Sequence, residues 1–302
     1  MNDPQRLPLD NRAITIMVLL TMVWGFQQVT VKWALPDISG VMQGGLRSIL
    51  STVLLLAWAR WQKIELFGRD GTLLSGIGAG LLFAAEFAFI FTGLSLTAAS
   101  RMVVFVNLAP CFVVMGLALF VPGEHIGPRQ WAGVLLAFVG VFVAFSEGFF
   151  GADRVSVLGD AFGLVAAFLW GATTVWIRAT RLSAVTGTKC LFYQLAVSAL
   201  LLPVVSVAIG EPGIVRWSAT AVASLVFQGV VVAFASFLVW FWLLTRYYAS
   251  RMAAYTFLSP LFGVLFGVVF LGERLSATFI AAVALVLAGI TLVTWRGREQ
   301  PA

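Results

Sequence analysis

The sequence contains few charged residues and few of the residues that bind metals. Only 11% of its 302 residues are charged, whereas about a quarter are charged in a soluble globular protein. One histidine and two cysteines give no metal-type spacing and argue against a disulfide framework. The chain also lacks a nucleotide-binding loop, so we expect no metal, no cofactor and no direct use of ATP. The net charge of +6 comes from scattered basic residues, which does not indicate nucleic acid.

What the sequence has in excess is apolar residues. They make up 61% of the chain, and the mean hydropathy is +0.99, which indicates an integral membrane protein in a lipid bilayer. A helix needs about 20 apolar residues to cross the hydrocarbon core. We therefore predict an all-α fold with ten transmembrane helices and no inserted soluble domain. The predicted spans are 13–34, 41–60, 72–94, 99–121, 128–146, 157–178, 187–209, 217–244, 250–271 and 275–295.

The positions of Lys and Arg predict the orientation of these spans, because cytoplasmic loops carry an excess of both. With the N-terminus in the cytoplasm, thirteen of the 19 Lys and Arg lie inside and five outside, and Arg47 lies within span two. Both termini are therefore expected in the cytoplasm. The apolar run from Ala13 to Leu35 is too long for a signal-peptide core and has no cleavage site, so it is read as span one.

A short motif occurs twice in the chain. Ala-Ser-Arg-Met at 99–102 returns at 249–252, and each copy is followed by a proline and by Gly-Glu. Such self-similarity indicates two related halves. The seam is placed in the polar stretch between spans five and six, which gives a first repeat at 1–148 and a second at 149–302. Because each repeat has five spans, the second is inverted relative to the first, and inverted repeats place a binding site near the midplane.

The proline and the glutamate of each motif copy have separate expected roles. Pro110 and Pro260 each remove a helix hydrogen bond and kink their spans, so they are candidate gating hinges; the alternative is a static kink. Glu124 and Glu273 stand at helix ends. We expect each to cap the N-terminus of the helix that follows it, where negative charge is favoured.

The ten spans, the inversion, the Trp-Gly pairs at 24–25 and 170–171 and the span-four proline followed by Gly-Glu resemble the drug/metabolite transporter superfamily. The closest branch is the EamA-type permeases, and within it the chain is most similar to the YddG-type exporters of aromatic and other amino acids. The resemblance covers nearly the whole chain. It implies a bacterial inner-membrane protein that exports small molecules by alternating access.

Spans one and six carry matching polar and aromatic faces. Residues three or four positions apart share one side of a helix, so each tryptophan lies beside two polar residues. We interpret these faces as walls of a substrate cavity. The alternatives are that the amides bond a neighbouring helix and that the threonine hydroxyls bond their own helix backbone. The candidates are Trp24, Gln27, Gln28, Trp170, Thr173 and Thr174.

Two charged residues are predicted within the membrane on consecutive spans. Glu86 lies about 12 Å below the outer end of span three, and Arg47 about 9 Å below the outer end of span two, at 1.5 Å per residue. One interpretation is a structural ion pair that allows both charges to be buried. The other makes Glu86 a proton carrier or a counter-charge for the ammonium group of a substrate.

Further candidate residues are mainly aromatic. Aromatic side chains in spans more often pack than bind, so only some of them are expected to line a pore. The additional candidates are Phe83, Phe87, Phe105, Gln228, Trp240 and Tyr255.

The favoured function is export of a small molecule, most of all an amino acid with an aromatic or other apolar side chain. An exporter of lipophilic cations, drugs or another metabolite is the alternative, because Glu86 has aromatic neighbours. A membrane-embedded enzyme is disfavoured, since the spans hold no His, Asp or Ser constellation. We expect a small-molecule substrate and the lipid bilayer as partners, and no nucleic acid or ATP-binding subunit.

Overall fold

The computed structural model of the protein describes residues 10–68, 70–121, 125–150, 154–247, 252 and 255–294. Within these ranges all regular secondary structure is helical, apart from one isolated bridge between Ile38 and Ile214. Nine of the described helical segments are long and apolar enough to cross a membrane, and a tenth is apolar but shorter. The predicted all-α membrane fold is confirmed.

The helices lie within a few residues of the predicted spans. Spans four and eight are each built from more than one helical segment, and the predicted start of span nine lies partly outside the described residues. The spans are Asn11–Ala34, Gly40–Trp61, Leu73–Leu96, Ala99–Val106 with Ala109–Phe120, Pro128–Phe150, Arg154–Ala179, Gly187–Ala208, Ala219–Val226 with Phe227–Ser236 and Phe237–Arg246, Leu258–Leu271, and Ala277–Thr294. A single turn of 3-10 helix, Arg181–Ala184, joins spans six and seven.

Side chains and glycine set several helix ends. Asp10 accepts a hydrogen bond from the amide of Ala13 at 2.7 Å and caps span one, and this bond holds the pKa of Asp10 below its usual range. Ser218 caps span eight in the same way, through the amide of Ala221. Gly272 ends span nine in the left-handed conformation, with φ 66°, which glycine adopts without strain.

Both motif prolines stand just after an interruption of their span. Span four breaks at Asn107, whose side-chain amide donates to the carbonyl oxygen of Val103 at 2.7 Å, and Pro110 lies in the first turn of the helix that follows. Phe257 stands 150 residues after Asn107 and is a turn residue between the helical Thr256 and the helix Leu258–Leu271. Pro260 lies in the first turn of that helix. Each proline therefore begins a helical segment, where its missing N–H costs no helix hydrogen bond.

The two predicted halves interlock. Span one packs on span nine, span two along span seven, span three along spans six and seven, span four on span six, and span five along span ten. Each of these pairs joins a helix of the first repeat to a helix of the second. The apolar core is therefore shared between the halves.

The glycines of the two Trp-Gly pairs lie at close contacts between the predicted halves. A Cβ on Gly25 would lie 2.9 Å from the Cβ of Phe262 in span nine and 2.7 Å from the backbone nitrogen of Gly263. A Cβ on Gly171 would lie 2.6 Å from the Cβ of Phe112 in span four. Phe112 and Phe262 stand 150 residues apart, like the two motif copies. The first span of each half thus packs through a glycine on the fourth span of the other.

Polar ties also join the halves at the ends of spans two and seven. The carboxylate of Glu211, which follows span seven, accepts hydrogen bonds from the hydroxyl of Ser39 at 2.9 Å and from the amides of Val41 and Met42. It therefore caps the N-terminus of span two, where negative charge is favoured.

Asp70, in the loop after span two, makes a second polar contact between spans two and seven. Its carboxylate accepts a hydrogen bond from Nζ of Lys189, in the first turn of span seven, at 2.8 Å and another from the hydroxyl of Thr72 at 2.6 Å. The bond from Lys189 is the main cause of a pKa of Asp70 far below its usual range.

Glu273 caps a different helix from the one expected. Its carboxylate accepts hydrogen bonds from the amides of Ala99 at 2.6 Å and Ser100 at 2.9 Å, so it caps span four of the other half. Span ten, which follows Glu273, is capped by the hydroxyl of Ser276 instead. The expectation was wrong because the turn after span nine packs against the start of span four. Glu124 and the motif residues 249–251 lie outside the described residues.

A methyl group at Gly25 should weaken the packing between the halves. We expect Gly25→Ala to lower the apparent melting temperature of the purified protein in detergent, because backbone atoms of span nine would have to move. Overpacking of this kind costs about 1–3 kcal/mol. Gly171→Ala should act alike. Gly127→Ala is the control, since its nearest contact would be at 3.9 Å. Equal melting temperatures for all three variants would contradict the close approach.

The Asp70–Lys189 tie should make stability depend on acid pH. Because the folded-state pKa of Asp70 is depressed, its contribution is complete above the unfolded-state value of about 3.9 and is lost as the pH falls towards the folded-state value. We expect Asp70→Asn to lower the apparent melting temperature at pH 7 and to bring it closer to the wild-type value near pH 3. Glu65→Gln changes an exposed acid in the same loop and is the control. A constant difference between pH 3 and pH 7 would contradict the assignment.

Candidate functional site

Span two presents a row of buried polar side chains to span eight. Gln43, Arg47 and Ser51 are spaced by four residues and lie along one face of the helix. Oε1 of Gln43 accepts a hydrogen bond from Nε2 of Gln228 at 3.1 Å, and the hydroxyl of Ser51 donates to the carbonyl oxygen of Gly229 at 3.0 Å. Arg47 lies one turn from each of these contacts. The backbone of Arg47 is therefore held close to the contact between spans two and eight.

Arg47 is held by aromatic rings. Its guanidinium carbon lies 3.9 Å from the ring centroid of Phe87 and 5.2 Å from that of Phe91, both in span three. The side chain is 2% exposed, and its Nε atom has no hydrogen-bond partner. Cation–π contact with a desolvated guanidinium contributes up to about 2 kcal/mol, which does not replace the hydrogen bonds that a buried charge requires.

Glu86 lies beside Phe87 in span three and is only 4% exposed. Arg47 and Glu86 are within electrostatic range of each other, yet the hydrogen bonds and ion pairs of the described residues include no direct bond between them. The ring of Phe87 covers the guanidinium instead, and Phe83 packs on Phe87 with a centroid separation of 4.6 Å. The described residues thus do not show the direct ion pair that was one of the two interpretations from the sequence.

The two glutamines of span one, Gln27 and Gln28, are buried. Oε1 of Gln28 has no hydrogen-bond partner. Nε2 of Gln43 donates to the carbonyl oxygen of Val31 at 3.3 Å, which fixes the relative depth of spans one and two. Gln28 lies about 4.5 Å from Val31 along span one, and Arg47 lies about 6 Å from Gln43 along span two. Both displacements point towards the same side of the membrane. Gln28 and Arg47 therefore lie at similar depth.

Span eight changes its helical winding where it meets this group. Residues Phe227–Ser236 form a π-helix, a winding that is rare and frequent at functional sites. Gln228 lies in its first turn and is completely buried, and its Oε1 atom has no partner. Gln28, Arg47 and Gln228, on spans one, two and eight, thus each have a buried side-chain atom without a hydrogen-bond partner among the described residues.

An aromatic group closes the other end of the π-helix. The indole Nε1 of Trp24 donates to the hydroxyl of Ser236 at 2.9 Å, and Trp24 meets Trp240 edge to face with a centroid separation of 5.7 Å. Tyr255 packs against the same apolar cluster. The predicted residues of spans one, eight and nine are therefore brought together.

Other predicted residues lie apart from this group. Phe105 is fully buried and packs 5.2 Å from Phe145 of span five, so its ring belongs to the apolar core. Thr173 and Thr174 donate to backbone carbonyl oxygens of their own helix, which is the alternative considered above. Trp170 is 42% exposed, and no contact between the described rings joins it to Trp24.

A cleft of about 580 Å³ opens between spans one and eight. It lies on the side of span one that carries Phe26, Thr30 and Trp33, whereas Gln28 lies on the opposite side of that helix. Its wall on span eight includes Ser224 and Phe227, at the start of the π-helix. The cleft is therefore separate from the polar group.

Sequence reasoning missed two parts of this arrangement. Gln43 and Ser51 share the four-residue spacing with Arg47, and that spacing was the signal that could have identified them. The other part is the buried pair of Asp160 and Arg101, whose Nε lies 2.9 Å from a carboxylate oxygen of Asp160. Among the described residues, no three His, Cys, Asp or Glu side chains are grouped as metal ligands would be.

The apolar spans, with buried polar groups between them, define a multi-span membrane protein. The EamA-like transporter family matches the chain over residues 11–146 and again over 157–295. The chain belongs to this family. The two matched segments lie on either side of the predicted seam between the repeats, each covering one set of five spans.

Relatives of full length carry similar descriptions. The chain is 27% identical to an uncharacterized transporter of Archaeoglobus fulgidus, over 95% of this chain and 98% of that protein. It is 28% identical to the uncharacterized transporter YvbV of Bacillus subtilis, over 99% and 96%. It is 25% identical to a probable amino-acid metabolite efflux pump of Escherichia coli, over 93% and 95%. A solved crystal structure at 20% identity, with a TM-score of 0.65 over 94% of this chain and 98% of the other, shares the fold.

Proposed function

We propose that this transporter exports amino acids with aromatic or other apolar side chains from the cytoplasm by alternating access. The excess of Lys and Arg in alternate loops supports a plasma-membrane protein with both termini in the cytoplasm. The description of the Escherichia coli relative as a probable amino-acid metabolite efflux pump supports the substrate class.

The observation that carries the proposal is the buried polar group of spans one, two, three and eight. An amino acid has a carboxylate that accepts, an ammonium group that donates and an apolar side chain. The group offers a guanidinium, two unpartnered amide oxygens and a carboxylate, with aromatic rings beside them. Polar groups of this kind within a membrane mark substrate pathways. Gln28, Arg47, Glu86 and Gln228 are the residues that we assign to the polar end of the substrate, and Trp24, Phe87 and Trp240 to its side chain.

Alternating access requires contacts between the halves that can open on each side in turn. Under the predicted orientation, the caps made by Glu211 on span two and by Glu273 on span four close the outer side. Pro110 and Pro260, at matched breaks in spans four and nine, are the proposed hinges for opposite gates. The repeats 1–148 and 149–302 are the units that would move.

A lipophilic cation is the second candidate substrate. The carboxylate of Glu86 is buried beside the rings of Phe83 and Phe87. A buried anion next to aromatic faces attracts organic cations. A guanidinium within electrostatic range of Glu86 opposes a cation, which is why the amino acid is preferred.

Flux through purified protein in proteoliposomes tests the function directly. We expect phenylalanine and leucine to move at least tenfold faster than through empty liposomes, and tetraphenylphosphonium, which crosses lipid unaided, to move no faster than through empty liposomes. Measurements with and without a pH gradient show whether protons are coupled. If the protein accelerates tetraphenylphosphonium above its rate in empty liposomes and accelerates none of a panel of amino acids, the proposed substrate class is wrong and the cation candidate is supported.

Glu86→Gln tests the role of the buried carboxylate. We expect the variant to lower phenylalanine flux about tenfold, because a charge-assisted bond to the ammonium group contributes roughly 1.5–3 kcal/mol. Glu65→Gln, in the exposed loop between spans two and three, is the control and should leave flux unchanged. Unchanged flux and an unchanged pH dependence in Glu86→Gln would exclude both the counter-charge and the proton-carrier role.

A further inference from the structure

Arg47 is a buried cation whose bonding capacity is not used by the protein. A guanidinium has five N–H donors. No hydrogen bond of the described residues involves the side chain of Arg47, although the backbone carbonyl oxygen of the same residue accepts one from Ser51. Arginine is otherwise almost never fully buried without a partner. The guanidinium carbon instead lies 3.9 Å from the ring centroid of Phe87 and 5.2 Å from that of Phe91.

The orientation of Arg47 is fixed even though its donors are free. Gln43 and Ser51 lie one turn before and one turn after Arg47 on span two. Their hydrogen bonds to Gln228 and Gly229 hold the backbone of Arg47 against span eight. A guanidinium that lies over an aromatic ring can still donate hydrogen bonds from its N–H groups to a ligand. These N–H groups form a planar fork, which matches the two oxygens of a carboxylate.

The acceptors around Arg47 complete the site. Oε1 of Gln28 lies at similar depth on span one, and Oε1 of Gln228 lies one turn away across the contact with Gln43. Glu86 is the neighbour of the ring that covers the guanidinium. A ligand with an anionic end would bind Arg47, and its donor groups would satisfy the two amide oxygens and the Glu86 carboxylate.

We infer that Arg47 binds the carboxylate of the transported molecule and selects α-amino acids over amines and amides of the same side chain. The inference rests on the proposed function and adds the residue that recognises the acid group. It also explains why Arg47 and Glu86 are close but not bonded, because a zwitterion that bridges them binds both charges at once.

The test compares phenylalanine with phenylalaninamide and phenethylamine, and leucine with leucinamide, as competitors of amino-acid flux in proteoliposomes. In the wild type we expect each amino acid to compete at least tenfold more strongly than its amide or amine. Arg47→Gln should raise the KM for phenylalanine at least tenfold and leave inhibition by phenylalaninamide unchanged, so that the preference disappears. Arg47→Lys should retain part of it, because an ammonium keeps the charge but not the planar fork.

Arg60→Gln is the matched control, since Arg60 is exposed at the other end of the same span and should keep the full preference. A purely structural Arg47 would lower transport of amino acid and amide by the same factor, and that result would overturn the inference. A wild type that accepts amide and amino acid equally would overturn it too. If Arg47→Gln does not insert stably, the preference of Arg47→Lys decides, and an unchanged preference there counts against the inference. If no amino acid moves at all, the proposed function itself has failed.

Discussion

Polar atoms that are buried within a bilayer must find their partners inside the protein, because the hydrocarbon offers none. This constraint explains most of the specific contacts between the spans. The tryptophan of span one bonds the serine of span eight, the glutamines of spans two and eight bond each other, and Arg101 bonds Asp160. Against this background, the few buried atoms without partners stand out. Three of the six such atoms in the described residues belong to Gln28, Arg47 and Gln228, where a substrate is the partner that we propose.

The same constraint couples the two halves. Helix ends near the membrane surface need acceptors for their first amides, and in spans two and four these acceptors come from carboxylates of the other half. The glycines of the Trp-Gly pairs bring the backbones of opposite halves into contact through Phe112 and Phe262. Movement of one half against the other must therefore exchange caps and repack glycine contacts, which gives a small number of discrete arrangements instead of a continuous deformation.

Hydropathy alone was sufficient to predict the spans, since the length and apolar content of a membrane helix depend only on its own stretch of sequence. The importance of Trp24 could be inferred from the repeat. The partner of a polar residue could not be inferred in this way, because it depends on which helices pack together and on how each helix is rotated about its axis. Glu273 illustrates this: its position beside Gly272 indicated a cap, but the helix that it caps lies 173 residues away. Arg47 and Glu86 were placed at similar depth from helical rise, whereas the contact of Arg47 with the ring of Phe87 follows only from packing.

The crossed caps have a consequence for biosynthesis. A chain is made from its N-terminus, and domains that emerge first generally fold first. Here spans two and four leave the ribosome long before Glu211 and Glu273 are translated. The first amides of both spans therefore lack their capping carboxylates at that stage. The first five spans can enter the bilayer, yet their final arrangement depends on the arrival of the last five. Assembly of the protein is therefore one event at the end of synthesis, and truncated chains are expected to be substrates for membrane quality control.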